Sequence, residues 1–482
     1  FEQAHTAGTG FGAAWEEGEG VNDYSEYVAR KLAYVAPSGM AGRVDLPRSL
    51  FPHQTALTSW ALKRGRAAIF ADTGLGKSRM EVAWADAVRR FTGMPVLILA
   101  PLAVAAQTAA EAAQIGVHVA VCRDGADVDD KGINITNYDR LHRFNPSIFG
   151  GVVLDESSII KHHDAKTFGI LTDAFRDTPF KLPATATPAP NDWTELGTHA
   201  EFLGICSRQE MLAEFFTHDG GDTSVWRLKG HAKHAFWRWV CSWGALIRRP
   251  SDLGFDDEAY ALPPLHVHEH QVEVDMPTNG MLFAMEAQSL SERREARRMS
   301  LEDRVRECAK KVNAESVESW VVWCDLNDES AGLTASIDGA IEIRGSDDVD
   351  TKEARLAAFA NGQARVLVSK PSICGWGLNW QHSARMAFVG VTDSYEAYYQ
   401  AIRRCWRFGQ KRDVHAHIFS SKAEGAVVAN LKRKEREAAQ MAEALSAETR
   451  DAVMTEVTGS SRQTNSHNAT RNVAVPQFLK AA

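Results

Sequence analysis

"FADTGLGKSRM" (70–80) sets two glycines, a lysine and a hydroxyl in the order A-x-x-x-x-G-K-S. That spacing suits a triphosphate. Gly74 and Gly76 let backbone N–H groups close around phosphate oxygens, and a helix opening at Lys77 adds the positive end of its dipole. Thr73 would complete the cradle, Lys77 would reach the outer phosphates, and the Ser78 hydroxyl would ligate Mg²⁺. A Gly-rich turn with a chance lysine is the alternative, and the apolar run before it and the helical pattern after it speak against that.

"GGVVLDESSIIK" (150–161) places two acids where a buried strand should close. Downstream of a phosphate loop, such acids have a use. Asp155 would hold Mg²⁺, and Glu156 would orient and deprotonate an attacking water. A third constellation lies far along the chain in "QAIRRCWRFGQ" (400–410), where Arg404 and Arg407 are three apart. On a helix they would share a face, and two guanidiniums there could offset charge developing on a γ-phosphate.

Two sets of elements must position these groups. "AAIFA" (67–71), "PVLILA" (95–100), "VHVAVC" (117–122), "INIT" (133–136) and "GVVLD" (151–155) read as buried strands separated by helical stretches such as 77–90 and 103–114. Near-continuous apolar strands alternating with helices indicate a parallel sheet covered on both faces. The alternation returns with "WVVWC" (320–324), "AIEI" (340–343), "RVLVS" (365–369), "RMAFVGV" (385–391) and "VHAHIF" (414–419).

The expected organisation is an N-terminal extension (1–44), a first α/β domain (45–262) with a helical, Trp-rich segment at about 192–250, a linker (263–280), a second α/β domain (281–445) and a polar tail (446–482) expected to be largely disordered. Because the arginines sit in the second domain, the site would be complete only when the domains close, and hydrolysis would reopen the cleft.

Composition is that of an ordinary globular protein: 44% apolar and 24% charged residues in 482. No run of apolar residues is long enough to cross a membrane. The start lacks the pattern of a secretory signal, and the seven scattered cysteines form no C-x-x-C pair, so a reducing cytoplasm is expected. The net charge of −8 disfavours polyanions on average. Local basic stretches such as "RRCWRFGQKR" (403–412) and "RREARR" (293–298) offer patches for one.

Taken in order, these motifs resemble the superfamily 2 helicase-type ATPases, a DEAD/DEAH-box-related group, and within it the Swi/Snf-like DNA translocases, over roughly residues 45–425. "ADTGLGKS" is similar to that branch's "DEMGLGKT", "TATPAPN" (185–191) to "TGTPIQN", and "QAIRRCWRFGQ" to "QAxDRxxRxGQ". "LFPHQTALTSWAL" (50–62) looks like the adenine-reading segment, "LILAPLAV" (97–104) and "ITNYD" (135–139) like strand-contacting elements, and "SKPSICGWGLNWQ" (369–381) like the Gly-rich coupling motif.

The form of the last two motifs is closest to compact, phage-encoded members, which implies a host cytoplasm. The resemblance implies two tandem RecA-like domains, ATP and Mg²⁺ as cofactors, and movement along nucleic acid, DNA above all, gripped mainly by its backbone. It assigns Gln54 to the adenine, Gln400 to the γ-phosphate or water, and Thr185, Thr187, Gly375 and Gly377 to coupling. Three positions depart from the pattern: Ser158 replaces a histidine, Arg403 an aspartate and Gln107 a tryptophan.

Rival readings are a strand-separating helicase on forks or hybrids, a nucleic-acid-binding clamp with weak ATPase, and the motor subunit of a replication, repair or recombination machine whose other subunits are separate chains. "HVHEH" (266–270) sets three histidines on one strand face, read as structural rather than as a zinc site. In "HAFWRWVCSW" (234–243), Phe236, Trp239, Val240 and Trp243 are expected in the core, with Trp237 on another face.

Overall fold

Short apolar runs ended by glycine, proline or an acid become strands, and the amphipathic stretches between them become the covering helices. The computed structural model describes residues 35–101, 104–219, 222–272, 298–374, 379–390, 394–421 and 425–458. The first domain contains β1 (Ala68–Ala71), β2 (Val96–Ala100), β3 (Val119–Val121), β4 (Ile133–Asn137), β5 (Gly151–Asp155), β6 (Phe180–Ala184), a hairpin of β7 (Phe216–Asp219) and β8 (Asp222–Leu228), and β9 (Gly244–Ile247). Seven of these form one parallel sheet in the order β3-β4-β2-β5-β6-β1-β9. Its covering helices include α1 (Pro52–Arg64), α2 (Lys77–Thr92), α3 (Ala105–Gln114) and α4 (Lys233–Cys241).

The second domain is a six-stranded parallel sheet in the order β10-β15-β14-β11-β13-β12. Its strands are β10 (Leu265–Val272), β11 (Trp320–Cys324), β12 (Ala340–Ile343), β13 (Val366–Ser369), β14 (Arg385–Val389) and β15 (Val414–Ser421). The helices α5 (Leu301–Ala314), α6 (Asn327–Ser336) and α7 (Tyr395–Ile402) flank it. Two parallel sheets flanked by helices, one after the other, bear out the alternating pattern and are the tandem RecA-like domains that the resemblance implies.

A last helix, α8 (Gly425–Thr458), connects the two halves. Leu431 is buried with the second domain's core, while Leu445 and Val453 are buried in the first domain's cores. Thr449 Oγ1 accepts the Leu246 N–H at 3.1 Å, so the helix is hydrogen-bonded to β9 itself. The helix runs past residue 445, where the sequence pattern places the start of the tail.

The Trp-rich segment carries helices, as its periodicity predicts, but it also carries the β7–β8 hairpin and returns β9 to the sheet beside β1. Trp237 is buried against Trp193 at a ring separation of 5.2 Å, so it is a core residue and not a surface for a base. "HVHEH" forms β10, as expected. Gly375, Gly377, "RREARR" apart from Arg298, and the chain before Val35 and after Thr458 lie outside the described residues.

In parallel sheets of this kind, ligands sit at the carboxyl ends of the strands. β6 separates β1 from β5, with Ala184 in register with both Ile69 and Asp155. Three loops therefore leave one edge of the first sheet side by side: the glycine-rich loop after β1, the acids after β5, and "TATP" after β6.

Candidate active site

Two glycines with positive φ shape the loop after β1, the candidate phosphate cradle, Gly74 at 93° and Gly76 at 79°. A Cβ at residue 76 would lie 2.3 Å from Gln54 Nε2, and one at residue 74 would lie 3.0 Å from the backbone N of Phe408 in the second domain. Glycine is needed at both for space as well as for φ. Leu75 N–H closes the turn onto Asp72 O at 3.3 Å, and Lys77 begins α2 with its ammonium on Ala71 O at 3.1 Å. Ser78 follows, half-buried on the first helical turn. The Thr73 hydroxyl is buried with no hydrogen-bond partner.

Gln54 lies beside the loop with both ends of its amide engaged. Nε2 donates to Leu75 O at 2.9 Å and Oε1 accepts the Phe51 N–H at 3.0 Å. His53 reaches the same Leu75 carbonyl at 3.3 Å. In this state Gln54 braces the loop against the start of α1. Phe51, His53, Tyr260 and Phe408 surround it as an aromatic cluster, with Tyr260 and Phe408 4.8 Å apart.

Asp155 ends β5 almost fully buried. Burial, and then the adjacent Glu156, push its carboxyl up to about 7, with Lys77 pulling the other way. Glu156 has φ 52° and ψ 53°, the one positive φ outside glycine among the described residues. A left-handed conformation costs such a residue about 1–2 kcal/mol, and strain of that kind collects at functional sites. The Thr185 hydroxyl donates to Glu156 Oε2 over a long 3.4 Å. Glu156, Lys161 and Glu396 line a cleft of about 490 Å³ with Asn137 and Tyr138. Tyr138 donates its hydroxyl to Asp155 O at 2.7 Å.

A third acid is present that the motifs do not announce. Glu81 is one helical turn beyond Lys77, and its carboxyl is buried against that of Asp155. No N–H or hydroxyl donor reaches either of its oxygens. Burial, then Asp155, raise its pKa well above the carboxylate range. The signal in the sequence was an acid four residues after the loop lysine, with the apolar Trp84, Ala85 and Val88 following on the same helix face.

The second domain supplies the cations. α7 stops at Ile402, and residues 403–405 continue as a turn, with Arg404 N–H on Ala401 O at 3.3 Å. Arg404 and Arg407 are therefore not on one helix face, as their spacing suggests; they follow the helix end and precede Gly409, whose φ is 89°. Arg404 is buried and donates Nε to Gln400 O at 3.0 Å and a terminal nitrogen to Gln400 Oε1 at 2.9 Å. Gln400 Nε2 is buried with no partner.

Burial, then Arg407, lower the Arg404 pKa to about 10, while the charge of Glu156 opposes the fall. Burial also lowers Arg407, opposed by Glu111 and Glu156. Gln107, on α3, holds Glu111 at 2.9 Å. The charges of Glu156 and Glu111 in the first domain thus act on Arg404 and Arg407 in the second.

Direct contacts seal the cleft. Arg403 pairs with Asp72 Oδ2 at 2.5 Å and donates to Thr73 O at 3.1 Å. Tyr399 donates its hydroxyl to Asp72 Oδ1, and Lys161 pairs with Glu396. The Thr187 hydroxyl reaches Glu396 Oε1 at 3.5 Å. Asp72, Lys161, Glu396 and Tyr399 are site residues that sequence motifs did not single out.

No protein-family profile matches the chain, and no curated protein matches it. Among solved structures, the Sulfolobus solfataricus SWI2/SNF2 ATPase core in complex with dsDNA is similar over 86% of this chain and 96% of that chain, at 16% identity and a TM-score of 0.41. Likeness at that level carries no functional argument. Among the described residues, no helix is long and apolar enough to cross a membrane.

Proposed function

We propose that this chain is an ATP- and Mg²⁺-dependent motor that hydrolyses ATP between its two domains and moves along nucleic acid, duplex DNA by preference. The observation that carries the reading is the set of contacts that joins the two domains over one cleft, Arg403 on Asp72 and Thr73 O and Glu396 on Lys161 and Thr187, with the charge of Glu156 also acting on Arg404 and Arg407. Two separately folded halves have no structural need to oppose acids and buried guanidiniums over a phosphate cradle. A triphosphate gives each group a partner.

Lys77 would leave Ala71 O for the outer phosphates, and the Thr73 hydroxyl and the N–H groups around Gly74 and Gly76 would donate to phosphate oxygens. Ser78 and Asp155 would hold Mg²⁺, with the donor-free carboxyl of Glu81 behind them. Among the described residues, no group of three or more His, Cys, Asp or Glu could hold a metal ion alone. Mg²⁺ usually binds through one or two carboxylates plus substrate phosphates, so a hydroxyl and a carboxylate fit it. When bound, it would neutralise phosphate charge. Glu156 takes the proton of the attacking water, and Arg404 and Arg407 offset charge on the departing phosphoryl group.

Gln400 holds Arg404 by its carbonyl and has Nε2 left to meet the γ-phosphate or water. The adenine would lie by Gln54 and the aromatic cluster. Thr185 and Thr187, with Gly375 and Gly377, would pass the state of the site to the polymer, contacted mainly at its backbone. The setting is the cytoplasm, with partner subunits of a replication, repair or recombination machine as separate chains.

ATP turnover measured in parallel with duplex DNA, single-stranded DNA and RNA tests this. Stimulation by duplex DNA is expected, with displacement of a triplex strand ahead of a moving motor. Turnover indifferent to every polynucleotide, or no turnover at all, sinks the proposal.

A further inference from the structure

Arg403 stands where the resembling motif has an aspartate, and the structure gives it a partner on the phosphate loop. Asp72 is tied by its N–H to Ile247 O at 2.9 Å, at the end of β9. Its carboxylate does three things at once. Oδ1 accepts the Thr73 N–H at 2.6 Å and the Tyr399 hydroxyl, while Oδ2 takes the Arg403 guanidinium at 2.5 Å. The same guanidinium donates to Thr73 O at 3.1 Å. Thr73 is thus held at its N–H from within the loop and at its carbonyl from the other domain, immediately before Gly74.

Aromatic rings pack around the grip. Arg403 is 3% exposed and lies between the rings of Tyr399 and Trp406, at 5.5 and 4.9 Å from their centroids. Burial disfavours its charge, but Asp72 and Tyr399 more than offset this and raise its pKa. Phe408 packs on Gly74. Opening the cleft must remove the Tyr399 and Arg403 donors from Asp72 and free the Thr73 carbonyl.

We propose that Arg403 and Tyr399 are positioning residues that set the shape of the phosphate loop through Asp72, so that nucleotide affinity rises and falls with domain closure. This rests on reading residues 71–78 as the nucleotide seat. The coupling must be reciprocal, since a loop shape that favours nucleotide when the domains close makes nucleotide favour closure. An interdomain ion pair serving only as glue would raise melting temperature and leave affinity unmoved.

The full chain, titrated with a fluorescent ATP analogue in Mg²⁺, decides. Arg403→Ala and Asp72→Asn are each expected to weaken binding about 10-fold, within the usual range of coupling between sites. The double variant should lose less than the sum of the two, because both break the Arg403–Asp72 pair. Arg403→Lys should recover most of the loss. Tyr399→Phe keeps the ring and the packing, so misfolding does not account for its expected loss of about 3-fold, the size of one hydrogen bond.

Binding by Tyr399→Phe and Arg403→Ala within twofold of the parent, or additive losses in the double variant, would overturn the inference while leaving the ATPase reading intact. A parent chain that binds no analogue overturns both.

Discussion

Lys161 of the first domain is paired with Glu396 of the second, just past the acid box on one side and in the first turn of α7 on the other. The other oxygen of Glu396 takes the Thr187 hydroxyl at 3.5 Å, Thr187 N–H donates to Thr185 Oγ1 at 3.2 Å, and Thr185 donates to Glu156 at 3.4 Å. This polar line connects the proposed catalytic acid to the second domain. Ser158 cannot make the link expected of a histidine at its position; its hydroxyl is buried with no partner. Ser157 is instead bonded to the buried His199 at 3.1 Å. The threonines carry the connection by another route.

If that line reports the state of Glu156 to the second domain, cutting it should separate hydrolysis from movement. Glu396→Ala is expected to lower nucleic-acid stimulation of ATP turnover about tenfold, within the range of coupling energies between sites, and the polymer-free rate less. Equal losses in both rates would show that Glu396 serves only to assemble the cleft.

Lys77→Ala and Glu156→Gln should each abolish turnover, but for different reasons. Removing the Lys77 ammonium removes phosphate affinity. Glu156→Gln keeps the shape and loses the base, for which about 10²–10⁴-fold in rate is usual. Nucleotide binding by Glu156→Gln should stay within a few-fold of the parent. Normal hydrolysis in that variant would end its assignment.

Arg407→Ala should lower the rate far more than nucleotide affinity, because its contact strengthens as charge moves onto the departing group. An arginine finger contributes about 10³–10⁵ in rate. Arg404→Ala is the less clean variant, since it also strips Gln400 of two buried hydrogen bonds. A loss of affinity matching the loss of rate in Arg407→Ala would move that residue from the transition state to ground-state binding.

What was legible followed from local pattern. β1, β2, β5 and β11 are near-continuous apolar runs, which is how strands buried on both faces read. β6, "FKLPA", was hidden by Lys181 and Pro183, although Lys181 is buried and spends its ammonium on Phe202 O at 2.9 Å. β9, four residues behind a tryptophan-rich helix, had no flanking signal. The loop, the acid pair and the arginines declared themselves by spacing. Asp72, Tyr399 and Glu396 did not, because their partners lie far away in sequence, as with the 330 residues between Thr73 and Arg403. Spacing also misplaced Arg404 and Arg407 on a helix that ends before them.

The last prediction concerns the edge of the second sheet. Parallel register sets His266 beside His415 and His268 beside His417. His268 Nε2 meets His415 Nδ1 at 2.9 Å, and His270 Nε2 meets His417 Nδ1 at 2.9 Å. Each bond needs one donor and one acceptor nitrogen, so a pair protonated on both rings loses it. Burial, then His268 and His270, lower His417 to about 3, with Lys311 acting the same way and Glu315 opposing. His270 and His415 are lowered as well, burial first; Lys311 and Arg385 add to this, and Glu307 and Asp413 resist it.

The unfolded chain takes up these protons near pH 6.5 and the folded chain does not. Stability from these groups is therefore complete above about 6.5 and lost as pH falls toward the folded values. His417→Gln, whose amide can still accept from His270, should lose less melting temperature than the parent between pH 7.5 and 5.5. Parallel losses in the two proteins would show that acid sensitivity resides elsewhere.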